Sequence, residues 1–133
     1  EMKVEVFADG ASRGNPGEAG LGVVVRSRGK ILKEVAEYIG RATNNVAEYL
    51  ALIRGLEEAL LLGANEASFF SDSELMVKQI KGEYKVKNEG LQPLHLHAKQ
   101  LIGKFKKFEI THKYREDNQH ADELANRAID AKK

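Results

Sequence analysis

The hydrophobic pattern of this chain changes period part-way along, and that change limits the folds open to it. In residues 3–8 (Lys-Val-Glu-Val-Phe-Ala) apolar and polar side chains alternate, as in a strand with one face buried. Residues 21–26 read as a second strand and 31–39 as a third. They are joined antiparallel by a hairpin turn at Ser27-Arg28-Gly29-Lys30, and Gly40 closes the third. The stretch from Asp9 to Gly20 reads as a Gly-rich loop. From 44 to 62 the period becomes helical: Tyr49, Leu52, Ile53, Leu56 and Leu60 recur at three- and four-residue steps, and Gly63 ends the run. Residues 67–70 form a short fourth strand, 73–80 a brief helix and 92–105 a longer one. The charged, Gly-flanked segment 81–90 reads as loop. Phe108, Ile110, His112 and Tyr114 then alternate with Glu109, Thr111, Lys113 and Arg115 in a half-exposed final strand, and a last helix begins near His120.

Three strands in antiparallel succession followed by crossover units imply an α/β fold with one mixed sheet and helices on its faces. In such sheets ligands sit at the carboxyl ends of the strands. Asp9 and Asp72 each fall at such an end, after Phe7-Ala8 and Phe70-Ser71. The 133 residues suit one domain spanning 1–133, and 42% hydrophobic with 31% charged residues reads as soluble and globular. No apolar run approaches the ~20 residues that span a bilayer, so no membrane partner is expected. The chain opens directly on a strand-like segment without a charged-then-apolar leader. A cytoplasmic, monomeric protein is expected. The absence of cysteine excludes disulfides, thiolate metal sites and a cysteine nucleophile.

Taken singly, the acids have ordinary structural explanations. Asp9-Gly10 suits a turn. Asn45-x-x-Glu48 and Ser71-x-x-Glu74 resemble capping boxes. Asp72 and Asp122 lie where first helical turns are expected, and the helix dipole favours negative charge there. Their conjunction is different, because the fold brings these acids to one sheet edge. Four carboxylates gathered without a cation would cost several kcal/mol in mutual repulsion and force some to protonate. Mg²⁺, which takes oxygen ligands and keeps several waters, removes that cost. Two such ions ~3.5–4 Å apart stabilise both the attacking and the leaving oxygen of a phosphoryl displacement.

Net charge is only +1, but it is unevenly spread. From Lys78 to Arg115 ten Lys/Arg face three acids, +7; the remaining eleven bases and seventeen acids leave −6. Such asymmetry suits a protein that holds a polyanion with one region and a cation with another.

Four segments resemble, in order and in spacing, the signatures of the type 1 ribonuclease H family. They are Asp9-Gly10-Ala11-Ser12-Arg13-Gly14-Asn15-Pro16-Gly17, Thr43-Asn44-Asn45-Val46-Ala47-Glu48, Ser71-Asp72-Ser73 and Asn118-Gln119-His120-Ala121-Asp122-Glu123-Leu124-Ala125. The resemblance implies a five-stranded mixed sheet with helices on both faces. It also implies an Asp-Glu-Asp-Asp site holding two Mg²⁺ ions, with Mn²⁺ able to substitute. Asp9 would bridge both ions, Glu48 and Asp72 would hold the ion on the nucleophile side, and Asp122 the one on the leaving-group side. The implied activity is endonucleolytic hydrolysis of the RNA strand of an RNA–DNA hybrid, leaving a 3′-hydroxyl and a 5′-phosphate. Gly10, Asn15, Thr43, Asn44, Asn45, Glu74 and Arg115 are carried over as substrate-contacting positions. The amides of Asn15, Asn44 and Asn45 both donate and accept, as reading a 2′-hydroxyl and base edges in a minor groove requires. Thr43 stands before a helix N-terminus, a natural seat for a DNA-strand phosphate.

The chain departs from the family pattern at three places. Arg115 stands where many members have a loop His before the last helix. Glu74 replaces a Gln, so it can accept from a 2′-hydroxyl but not donate to a base. The basic protrusion with tryptophans is missing, since there is no Trp and the 81–90 segment is short; Lys81, Lys85 and Lys87 remain to grip the DNA strand. The nearest likeness is to the compact subgroup of archaea and some bacteria. His95 and His97, two apart on a helix, do not share a face and are not expected to pair on a metal.

Overall fold

The computed structural model describes residues 1–132, apart from the side chains of Arg115 and Asp117. The elements follow in the order β1 (Lys3–Ser12), β2 (Gly17–Ser27), β3 (Lys30–Ala42), α1 (Asn44–Leu61), β4 (Glu66–Ser71), α2 (Glu74–Ile80), α3 (Gln92–Ile102) and β5 (Lys107–His112). A 3-10 turn at Arg115–Asn118 and α4 (Gln119–Asp130) complete the chain. The strands form one sheet in the order β3-β2-β1-β4-β5, antiparallel at β1–β2 and β2–β3 and parallel at β1–β4 and β4–β5. This is the expected mixed five-stranded sheet.

Side chains alternate faces along a strand, and neighbours in register share one. Gly10 faces α1, because a methyl there would overlap the carbonyl of Ala47; Gly22, in register with Asp9, faces α4, where a methyl would overlap the carbonyl of Ala121. The two helices therefore cover opposite faces. Strand β2 runs between them, so Val23, Val24 and Val25 are all buried, the near-continuous apolar run that a doubly covered strand requires. On the α1 side, Val4, Val6, Leu21, Val23 and Phe69 join Leu52 and Leu56 in one core. Each such side chain contributes about 1.5–3 kcal/mol by leaving water. Helix α3 lies against α1.

Three sequence expectations are corrected here. The Gly-rich segment from Asp9 to Gly20 is mostly strand: β1 runs to Ser12, β2 starts at Gly17, and only residues 13–16 connect them. Gly10 and Gly20 answer to packing against the helices, while Gly14 and Gly17 serve the connection itself. A Cβ on Gly20 would lie 2.6 Å from the Ala125 oxygen. Consequently Asp9 lies inside β1 and not at its end. The parallel ladder with β4 stops at the pair Phe7–Phe70, however, so Asp9 still projects just past the end of β4. Second, β3 continues through Gly40 to Ala42; a bulge skips Ile39, and Gly40 takes φ 79° to accommodate it. Third, the last strand stops at His112 and α3 stops at Ile102. Lys113 N–H donates to the Ser71 carbonyl at 2.8 Å, and beyond that bond β4 has ended and offers no further partner. Among the described residues no helix is long and apolar enough to cross a membrane.

Candidate active site

The acids meet because β1 runs past the place where β4 ends and α1 and α4 begin. Asp9 comes from β1 and is 3% exposed. Asp72 follows the last residue of β4, Glu48 projects from the second turn of α1, and Asp122 from the first turn of α4. One carboxylate oxygen each from Asp9, Glu48 and Asp72 lie within 4.8 Å of one another. Asp122 lines the same depression, of about 250 Å³, together with Ser12, Asn44 and Asn126. Among the described residues no other three Asp, Glu or His side chains meet in this way. A larger cleft, about 750 Å³, lies at the opposite end of the sheet between the start of β1 and the β2–β3 hairpin. Its mixed Glu, Lys and Arg lining offers no converging set of donors.

Local chemistry rules out the capping explanations. The N-cap of α1 is Thr43, whose Oγ1 accepts from Val46 N–H at 3.2 Å, which leaves Glu48 outside any capping box. Glu48 Oε1 instead accepts from the Gly10 amide at 2.7 Å. The absence of a side chain at Gly10 lets the helix come near enough for that bond. The N-cap of α2 is Ser73, accepting from Met76 N–H, so Asp72 precedes the helix rather than sitting in its first turn. Ser71 is no cap either; its hydroxyl accepts from Ser73 N–H. Asn126, one turn beyond Asp122, donates its amide to the Asp122 carbonyl at 3.0 Å and to its carboxylate at 3.3 Å.

The electrostatics follow from the crowding. Burial, then the charges of Glu48 and Asp72, then hydrogen bonding with Asp122 and Asp72, push the Asp9 carboxyl up to about 10. A carboxyl held in its acid form by neighbouring carboxylates is a site that a cation relieves. The donor set, all hard oxygens with no Lys or Arg among the lining residues described, fits Mg²⁺ or Mn²⁺.

Comparison with known proteins bears on the family. A family model described as "Reverse transcriptase-like" matches residues 7–128. The bifunctional protein Rv2228c of Mycobacterium tuberculosis is 48% identical over 132 residues, covering 98% of this chain and 36% of its own length. RNase H1 from the halophilic archaeon Halobacterium salinarum NRC-1 superposes with TM-score 0.96 at 43% identity, covering 98% of this chain and 99% of that structure. The curated Halobacterium ribonuclease HI sequence is longer, and this chain spans 65% of it. LC11-RNase H1, solved in complex with an RNA/DNA hybrid, superposes with TM-score 0.90 at 42% identity over 96% of each chain.

This chain belongs to the type 1 ribonuclease H family.

Not every position expected to touch substrate is drawn to the acids of this ribonuclease H fold. Asn44 lines the depression, and its backbone N–H donates to Asn15 Oδ1 at 3.2 Å, which ties the 13–16 connection to the start of α1. Gly10 and Thr43 are occupied as described above, and Asn45 is exposed in the first turn of α1. Glu74 is not among the residues lining the depression. It pairs with Lys78 one turn along α2 at 3.0 Å, and that ammonium holds its carboxyl below the usual range. The expectation for Arg115 falls on a side chain outside the described residues. His120 turns toward β3 and meets Glu34 at 2.5 Å. His95 packs edge-on to Tyr49, and its Nε2 lies 3.3 Å from the Gln79 carbonyl, while His97 is exposed; the two do not converge.

Sequence reasoning missed Asn126 and Ser12, which line the depression. Asn126 carries a signal in hindsight, standing four residues after an acid on a helix. Ser12 was hidden inside the supposed loop.

Proposed function

We propose that this chain is an endoribonuclease that hydrolyses the RNA strand of RNA–DNA hybrids with two Mg²⁺ ions, leaving 3′-hydroxyl and 5′-phosphate ends. The observation that carries the reading is the gathering of Asp9, Glu48, Asp72 and Asp122 around one depression, with Asp9 driven toward its acid form. The 42% identical LC11-RNase H1, solved with a hybrid, supports the substrate class. The four carboxylates would hold the ions, Mn²⁺ being able to replace Mg²⁺. Bound divalent ions supply Lewis-acid stabilisation of the charge that builds on the phosphate oxygens.

The rest falls to the chain itself. The Gly10 amide orients Glu48, and the Asn126 amide orients Asp122. Asn15 and Asn44, tied to one another at the rim, offer amides to a 2′-hydroxyl; Asn45, Thr43, Glu74 and Arg115 complete the proposed contact set. The Lys-rich stretch from Lys78 onward supplies sequence-independent attraction to the nucleic-acid backbone. We read residues 1–133 as one ribonuclease H domain acting as a monomer in the cytoplasm, a setting consistent with the absence of cysteine.

One assay tests this reading. Labelled hybrid, duplex RNA and duplex DNA are each incubated with Mg²⁺, Mn²⁺ or chelator. The expected result is cleavage of the RNA strand of the hybrid alone, abolished by chelator. Binding of hybrid without cleavage would make the chain a recognition module, and cutting of duplex DNA would make it a nuclease of another specificity.

A further inference from the structure

Asn118 stands at the N-cap of α4, the position where asparagine most often caps its own helix, yet its side chain makes no capping bond. It is 2% exposed and donates through Nδ2 to the carbonyl of Ala8 at 2.9 Å, across 110 residues of sequence. Ala8 precedes Asp9, and Asp122 lies four residues after Asn118 in the helix that this bond holds. Here the bond joins the two elements that bring those acids into contact.

The other end of the same amide is also unusual. Among the described residues, buried Asn118 Oδ1 has no partner, and neither has buried Arg26 Nε. Both residues line one small cavity of about 50 Å³, closed by Phe7, Val24, His120 and Ala121. One atom is an acceptor and the other a donor. A space of that size has room for one water, which would donate to Asn118 Oδ1 and accept from Arg26 Nε. The Arg26 guanidinium is held in place over the Phe7 ring, 5.7 Å from its centroid.

We propose that Asn118 is a positioning residue for the acidic site, and that it works as a two-sided clamp. Nδ2 pins the start of α4 to β1 at Ala8. Oδ1 is fixed by a buried water shared with Arg26 of β2, so the amide cannot flip and withdraw its donor. The clamp sets the separation of Asp122 from Asp9, and through it the affinity for Mg²⁺. This inference rests on the hydrolase reading above for its kinetic consequences, but its effect on metal binding can be read without any substrate.

The test compares the parent with Asn118→Ala and Arg26→Gln. Folding is checked by circular dichroism, Mg²⁺ affinity by titration calorimetry without substrate, and hybrid cleavage by steady-state kinetics. Asn118→Ala is expected to weaken Mg²⁺ binding at least about 5-fold and lower kcat about 10-fold or more, with KM for hybrid within twofold. Arg26→Gln, which leaves the Ala8 bond intact, is expected to shift both in the same direction by a smaller factor. A role confined to stability would lower Tm while leaving Mg²⁺ affinity and kcat at parent values. Folded Asn118→Ala with those parent-like values overturns the clamp. If Asn118→Ala does not fold, Arg26→Gln decides: weaker Mg²⁺ binding supports the clamp and parent-like binding overturns it. A parent that binds Mg²⁺ but cuts no hybrid would remove the hydrolase reading and leave the clamp to be judged by the calorimetry.

Discussion

Asp9→Asn is expected to lose hybrid cleavage by at least about 10³-fold, the scale of removing one preorganised charge-stabilising group, and yet to melt at a higher temperature than the parent when both are metal-free at pH 8. The two effects share one cause. In the folded, metal-free chain, burial and the neighbouring Glu48 and Asp72 carboxylates raise the Asp9 carboxyl from 3.8 to about 10. In the unfolded chain it ionises near its ordinary value. Between those limits the folded state binds more protons than the unfolded one, so this group makes stability fall as pH rises through the window. Well below pH 4 both states are protonated and the penalty vanishes. Asparagine never ionises. Its advantage over aspartate should therefore be small near pH 4 and grow steadily through pH 8, by at most about 1.4 kcal/mol for each pH unit.

Magnesium should reverse the ranking, raising the parent's Tm by mass action and leaving the variant nearly unmoved. Binding to the parent should also release protons, measured as a dependence of the calorimetric heat on the buffer. Melting curves at pH 4, 6 and 8, with and without Mg²⁺, check all of this. A variant that is less stable than the parent at pH 8 without metal, or that still cuts, would contradict the assignment of Asp9 as the crowded centre of the site.

Gly22→Ala is expected to destabilise the fold by roughly 3 kcal/mol or more, a large share of the ~5–15 kcal/mol that domains possess. Its new methyl would overlap the Ala121 carbonyl and lie 2.7 Å from Ala125 N and 2.8 Å from Leu124 Cβ. Two of those atoms are helix backbone, which cannot turn aside as a flexible side chain does. Either α4 lifts from the sheet or β2 bends away. The helix carries Asp122, so lifting it should weaken Mg²⁺ binding as well as stability. Gly103→Ala is the control, because the nearest atoms there, Gln100 O and Lys99 O, are at 3.5 and 3.7 Å. Its φ of −62° suits alanine, and its urea midpoint should stay level or rise slightly. A Gly22→Ala protein with the parent's midpoint and slope would show that α4 does not rest on this glycine.

Glycines also mark where sequence reasoning reached its limit. Periodicity carried the strand and helix order and the mixed sheet, because alternation and 3.6-residue spacing are local consequences of which face is buried. Gly10 and Gly20 have a different local signature, that of turns, which makes β1 and β2 look shorter in sequence than they are. What they answer to is the closeness of α1 and α4, and a helix more than twenty residues away leaves no mark on a strand's own pattern. The caps behaved likewise. Thr43 and Ser73 are as ordinary in sequence as Asn45 and Ser71, and which of them closes the helix depends on where each helix starts.

The four acids were legible because their types, order and spacing are properties of the chain. Sequence by itself determined which carboxylates exist and in what order, and that a nucleic-acid partner suited the uneven charge. Only the tertiary structure decided that Asp9, Glu48 and Asp72 come within 4.8 Å, that Asp9 bears the cost of that crowding, and that Asn118 is spent on Ala8 rather than on its own helix. The physical reason is range. Backbone preferences act over a few residues and can be read along the chain. Repulsion between carboxylates and the pairing of buried polar atoms depend on distances that exist only after distant segments have packed.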